Sequence, residues 1–202
     1  FRPTPYRSPD TWFADARTVG LDRQLDRTVI AKTLELLSEL PRALKLAINV
    51  APDTLIHADL PRLIDGPFSD RIIFELTDHA GIGNLNAMHP QMKALRNLGA
   101  QIAVDDLGTD YNSLNTVLQI KPDIVKLDRS LVRGLHMDPV NQALTAGILH
   151  FSRAIGAQVI AEGIERAEEA AALRDFGVAY GQGFLLGRPG GLTALHARTF
   201  GY

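Results

Sequence analysis

The 202-residue chain contains no cysteine, which excludes a disulfide framework and any thiolate metal site and fits a reducing compartment. A dominant charge is lacking too: 21 Lys and Arg stand against 23 Asp and Glu, a formal net of −2 with a pI near 6.3. No basic field draws the chain toward a nucleic-acid polymer or an anionic membrane surface. Aromatics make up only 6% and do not interleave with basic clusters, so the pattern of a single-strand binder is missing. No apolar run approaches the ~18 residues of a membrane span, and no signal peptide is visible. His57, His79, His89, His136, His150 and His196 show no His-x-x-x-His or His-x-His spacing, so surface or satisfied core positions are their default. Neither a Gly-x-Ser-x-Gly elbow nor a glycine-rich dinucleotide fingerprint occurs.

What remains is apolar and periodic. Hydrophobic residues make up 46%, enough for one sizeable core and a single domain over residues 1–202. Short apolar runs at 44–50, 71–76, 101–105, 123–127, 158–162 and 178–184 read as strands covered on both faces, the habit of a parallel sheet. Helices alternate with them. Asp138-Pro139 is a cap followed by a first-turn proline, and the helix it opens is striped by Val140, Leu144, Ile148, Phe151 and Ile155 and ended by Gly156. Shorter helices are expected over Pro90–Leu98, with Met92, Leu95 and Leu98 apolar, and over 165–176. One junction recurs: Leu98-Gly99-Ala100-Gln101 feeds a strand ending in Asp105, and Ile155-Gly156-Ala157-Gln158 feeds one ending in Glu162. Alternating β and α units predict an α/β fold. Polar residues at the strands' C-terminal ends favour a (β/α) barrel, and an open doubly wound sheet is the rival.

Those polar residues are Asn49, Glu75, the pair Asp105-Asp106, Lys126 and Glu162. Each alone has an ordinary explanation as a helix cap or a salt-bridge partner; together they form a pattern. Carboxylates at the mouth of a buried strand are costly without a positive partner. An all-oxygen donor set points to hard cations such as Mg2+ or Mn2+ rather than zinc. Adjacent aspartates, one able to bridge, suit two ions ~4 Å apart, an arrangement that serves phosphodiester cleavage. Lys126 would then orient the water or neutralise phosphate charge.

From about Pro9 to Pro189 the chain resembles the EAL family of bacterial cyclic di-GMP phosphodiesterases. The resemblance is carried by Ala47-Ile48-Asn49-Val50, Phe74-Glu75-Leu76-Thr77-Asp78, Val104-Asp105-Asp106-Leu107-Gly108-Thr109-Asp110-Tyr111, Val125-Lys126-Leu127-Asp128-Arg129-Ser130, Ile160-Ala161-Glu162-Gly163-Ile164-Glu165 and Gly181-Gln182-Gly183-Phe184 with Arg188-Pro189. It implies a modified (β/α)8 barrel of TIM type, its first strand truncated, that hydrolyses cyclic di-GMP to linear pGpG with two divalent cations, Mg2+ or Mn2+. It implies Asn49, Glu75 and Asp105 as ligands of one ion, and Asp105, Asp106 and Glu162 around the other. Lys126, Glu162 and Asp106 form the implied catalytic set, with Lys126 holding the attacking water. Glu165 and Gln182 match supporting positions. The resemblance further implies a homodimer, with Asp78, Gly108, Thr109 and Asp110 coupling its interface to the metals. Regulatory domains in the same full-length protein and a cytoplasmic location are expected as well.

Some positions depart from the family pattern. The Glu-x-Leu-x-Arg motif is missing, and is expected just upstream of Phe1. There its glutamate would supply a metal ligand and its arginine a phosphate contact. Leu107 stands where phenylalanine is usual, Asp110 where glycine is, Asn112 where serine is, and Asp78 where glutamate is. These changes touch the tuning of the coupling loop more than the metal chemistry. Two readings stand beside the phosphodiesterase. One is a catalytically degenerate EAL domain acting as a cyclic di-GMP-binding receptor or regulatory module. The other is an unrelated barrel metalloenzyme acting on small carboxylates.

Overall fold

The computed structural model describes residues 8–76, 85–107 and 111–191, with the backbone alone at Asp10, Leu85, Asp106 and 111–114. Helices α1 (Pro9–Thr18) and α2 (Asp22–Leu37) come first. Strand β1 (Leu46–Val50) leads through α3 (Pro52–His57) and α4 (Leu60–Ile64) to β2 (Ile72–Leu76). Then follow α5 (Leu85–Asn97), β3 (Gln101–Leu107), α6 (Tyr111–Ile120) and β4 (Ile124–Leu127). Helices α7 (Arg129–Val132) and α8 (Pro139–Ala154) precede β5 (Gln158–Ala161), and α9 (Ala167–Asp175) precedes β6 (Tyr180–Gly181). Among the described residues no helix is long and apolar enough to cross a membrane.

All pairings are parallel, and the spatial order is the chain order, β1-β2-β3-β4-β5-β6. A doubly wound sheet reverses its order at a switch point; this one never does, which is the winding of a barrel. The described residues supply six strands of such a sheet. Strand alternation sorts their side chains into two faces. Val50, Leu76, Val104, Val125 and Val159 lie in one register row, and all are buried under the helices. Burying such a row supplies the main driving force for docking helices on the sheet, about 1.5–3 kcal/mol per large apolar side chain. The opposite face carries Asn49, Glu75, Ala103, Ile124, Lys126 and Ile160.

Three helix expectations need correction. Helix α5 begins at Leu85 rather than at Pro90, so that proline lies inside it; a proline's preference for the first turn misplaced the start. Helix α9 is shorter than 165–176, running Ala167–Asp175 with Glu165 ahead of it. In α8 the expected stripe holds at Ile148, Phe151 and Ile155, which face the core, but not at its start. Asp138 caps it as predicted, accepting from Val140 N and Asn141 N, but its buried face is Thr145, Ile148, Leu149 and Ser152. Val140 and Leu144 are 75% and 44% exposed, lying a quarter to a third of a turn from that face by roughly 100° per residue.

The entry to β1 is set by one buried cation. Arg71 donates to the carbonyls of Leu37, Leu40, Pro41 and Leu44 at 2.8–3.3 Å, closing the C-terminus of α2, whose last carbonyls have no helical partner. Its guanidinium also sits 5.6 Å from the Phe68 ring centroid. We expect Arg71→Met, which keeps the stem and removes every donor, to cost about 2–4 kcal/mol in urea unfolding. A loss under about 0.5 kcal/mol contradicts this account of how β1 is placed.

Candidate active site

Glu75 lies in β2, Asp105 in β3 and Lys126 in β4, while Glu162 follows β5 and Gln182 follows β6. The parallel sheet brings these C-terminal ends together. Lys126 is 5% exposed. Its Nζ is 3.0 Å from Glu75 Oε1, 3.1 Å from Asp105 Oδ1 and 2.7 Å from Glu162 Oε1. An ammonium has three N–H donors and no acceptor, so each proton is matched to a different carboxylate. Gln182 Nε2 donates a further 2.5 Å bond to Glu162 Oε1.

A local irregularity helps present the acids. Val104 pairs with Val125 and Leu107 with Leu127, so Asp105 and Asp106 together oppose the single Lys126. This is a bulge, a device that re-aims side chains beside active sites. Gln182 is seated by a close backbone approach: Gln182 N donates to Ala161 O at 2.8 Å, and Ile164 N donates to Gln182 O at 3.0 Å. A Cβ on Gly183 would collide with the backbone of Ile164, so only glycine fits beside that strand end.

The charges do not balance. Three carboxylates against one ammonium leave the cluster two negative charges in excess. Burial alone would depress Lys126, but the hydrogen bond to Glu162 and the fields of Glu75, Asp105 and Glu162 outweigh it and raise the ammonium above its ordinary range. Lys126 is therefore a fixed cation at physiological pH. Burial, with Asp105 and Glu75 nearby, pushes the Glu162 carboxyl up against the pull of Lys126.

Beside the cluster lies a cavity of about 450 Å3 lined by Arg129, Glu165, Gln182, Phe184, Arg188 and Pro189, among others. Arg129 Nη2 is 2.9 Å from Glu165 Oε1, and the Arg188 guanidinium sits 4.4 Å from the Phe184 ring centroid. Two guanidinium groups and an aromatic face suit a ligand with phosphates and flat bases.

The structure thus gathers Glu75, Asp105, Lys126, Glu162 and Gln182 in one cluster and sets Glu165 in the adjoining cavity. Asn49 pairs with Glu75 in register, on an exposed part of the same face. Asp106 lies in β3, and its side chain is outside the described set. Asp78, Gly108, Thr109 and Asp110 lie outside the described residues, as do His79 and His196. Arg129, Phe184 and Arg188 stand in the quoted motifs, yet nothing in the sequence reading assigned them a place in the cavity. Arg129, three positions beyond Lys126 and just after the Asp128 cap, had a readable signal, because a residue opening a helix at a strand end overhangs that end.

Among the described residues no three carboxylate or imidazole groups form a metal cage by themselves. Glu75, Asp105 and Glu162 close on the ammonium instead, which stands where a cation is wanted. Their all-oxygen chemistry and surplus negative charge fit a hard divalent ion.

Comparisons with known proteins bear on the family and the fold. The EAL domain family model matches residues 4–189. The cyclic di-GMP phosphodiesterase PdeF of Escherichia coli (strain K12) is 31% identical over 192 residues, 90% of this chain and 26% of that protein. The cyclic di-GMP phosphodiesterase PdeR of the same organism is 40% identical over 115 residues, 57% of this chain and 17% of that protein. A Klebsiella pneumoniae BlrP1 manganese/cy-diGMP complex at pH 6 superposes with a TM-score of 0.82 at 33% identity, over 93% of this chain and 50% of that one. A calcium/cy-diGMP complex of BlrP1 matches with a TM-score of 0.80 at 32% identity, over 91% of this chain and 48% of that one. The chain spans between about a fifth and two fifths of the length of the curated relatives that it matches along most of its own length.

The cluster's charge balance generates a pH-dependent prediction. Lys126→Met strands three half-buried carboxylates, and breaking such an arrangement costs up to about 3–5 kcal/mol. Carboxyls held above their unfolded pKa cost stability once pH exceeds the unfolded value, ~4.3 for glutamate. The loss in urea unfolding is therefore expected to be largest near pH 8 and to shrink toward pH 4. A loss that is the same at both pH values contradicts the charge account.

Proposed function

This chain belongs to the EAL family, and on that premise we propose that it is a metal-dependent phosphodiesterase that hydrolyses cyclic di-GMP to linear pGpG, ending a bacterial second-messenger signal. The observation that carries the reading is the acid surplus around Lys126 at the strand ends. Asn49, Glu75, Asp105, Asp106 and Glu162 would hold two divalent cations, Mg2+ or Mn2+, which when bound acidify water and neutralise charge on phosphoryl oxygens. Manganese and calcium in the similar BlrP1 complexes support a divalent ion.

The remaining roles follow from the side chains. Lys126 stays protonated and cannot act as a base. An N–H released from one carboxylate donates to an incoming water or phosphoryl oxygen and fixes its direction. Glu162, held up by burial and its acidic neighbours, accepts the proton that the attacking water loses. Gln182 keeps Glu162 oriented through its 2.5 Å bond. Arg129 and Arg188 hold phosphate, and Phe184 offers a face to a guanine base. Water adds across one P–O bond, the ring opens, and the product carries a new terminal phosphate.

The greater length of the curated relatives supports a place as one domain of a longer, multidomain protein, which we take to be cytoplasmic. A homodimer is supported by α8 and the turn before it: Met137, Val140 and Leu144 are exposed, and the helix has no charged side chain before Arg153. We expect Leu144→Glu, a charge on that face, to shift sedimentation from dimer to monomer. An unshifted dimer places the contact elsewhere.

The activity is tested by incubating the full-length protein with cyclic di-GMP and Mn2+ or Mg2+ and resolving products by chromatography. We expect pGpG, its loss on chelation, and a fall of at least ~10²-fold in turnover in Asp105→Asn. Binding without pGpG would assign the chain to the receptor reading instead.

A further inference from the structure

One buried carboxylate lies behind the site and has no part in the chemistry above. Glu169, in the first turn of α9, is 2% exposed. All three of its hydrogen bonds come from backbone. Oε2 accepts from Glu165 N at 3.0 Å and from Arg166 N at 3.1 Å, and Oε1 accepts from Gly134 N at 3.1 Å. Gly134 follows α7 in the loop after β4, and Glu165 belongs to the loop after β5. A single side chain therefore ties two loops of the catalytic face together.

These are the loops that bring Arg129 and Glu165 to 2.9 Å at the cavity wall. They are packed tightly there. A Cβ on Gly163, at φ +66°, would lie 2.6 Å from Arg129 Cγ. Helix capping alone does not explain Glu169. Arg166 at the N-cap has no acceptor to offer, so only the Glu169 half of a capping box exists. That half needs one oxygen; the other is spent on Gly134, 35 residues away.

We propose that Glu169 is a positioning residue for the nucleotide-binding cavity: its carboxylate sets the spacing of the two loops and, through Glu165, holds Arg129 against the ligand. The proposal rests on reading that cavity as the cyclic di-GMP site. Burial works against the charge of Glu169, but the three backbone donors outweigh it and hold the carboxyl below its usual range. It stays ionised through neutral pH and accepts all three bonds throughout.

The test is a double-mutant cycle on cyclic di-GMP affinity, measured by calorimetry in the full-length wild type, Glu169→Gln, Arg129→Ala and the double variant. Glu169→Gln keeps the size but turns an N–H toward a backbone donor. Its binding loss is expected to be ~10-fold with Arg129 in place and under ~2-fold in the Arg129→Ala background, because residues in one network are not additive. Its melting temperature should fall equally in both backgrounds. Equal binding losses in the two backgrounds, or none, overturn the proposal. If Glu169→Gln does not fold, Glu169→Asp takes its place, with the same expectation. If the wild type binds no cyclic di-GMP, the reading of the cavity fails by itself, and the Arg129 Nε–Hε resonance decides: it must shift in the Glu169 variant, and an unmoved signal overturns the positioning role.

Discussion

At the mouth of the sheet three carboxylates share one ammonium, and much else in the molecule serves that arrangement. Mutual repulsion and desolvation would drive Glu75, Asp105 and Glu162 apart or make them protonate. Lys126 prevents this by donating one N–H hydrogen bond to each. It cannot neutralise them all, and a surplus of two negative charges is left at the strand ends.

The sheet makes this possible at tolerable cost. The apolar row through Val50, Leu76, Val104, Val125 and Val159 anchors the strands under the helices. The alternate row is then free to carry polar groups on the other face. Parallel pairing in chain order brings the ends of β2, β3, β4 and β5 side by side, so residues as far apart in the chain as Glu75 and Glu162 meet on one Nζ.

Strands β1 to β5 were legible as short apolar runs with a polar residue at or near the C-terminal end, but burial on both faces does not hold throughout: β1 exposes Ala47 and Asn49, and the run at 178–184 yields only Tyr180–Gly181, both exposed. The helices were read less well where the local signal was ambiguous. Pro90 looked like a first-turn proline but sits inside α5. Val140 and Leu144 fit an apolar stripe that the sheet does not cover. In the site, Glu75, Asp105, Lys126 and Glu162 were legible as polar residues in apolar runs. The bulge that sets both aspartates opposite Lys126 was not, because nothing in Val104-Asp105-Asp106-Leu107 distinguishes a bulge from a regular strand end. Glu169 was invisible for another reason. A surface helix with glutamates in its first turn is commonplace, and only the fold reveals that this one turns inward onto Gly134.

If the acid surplus around Lys126 holds a divalent cation, equilibrium Mn2+ binding to the full-length protein must depend on its carboxylates. Calorimetry near neutral pH on the wild type and on Glu75→Gln should show Mn2+ binding in the first and at least ~10-fold weaker binding in the second, as expected when a carboxylate ligand is lost. Equal affinities in the two proteins, or no Mn2+ binding to the wild type even with cyclic di-GMP present, would contradict the account.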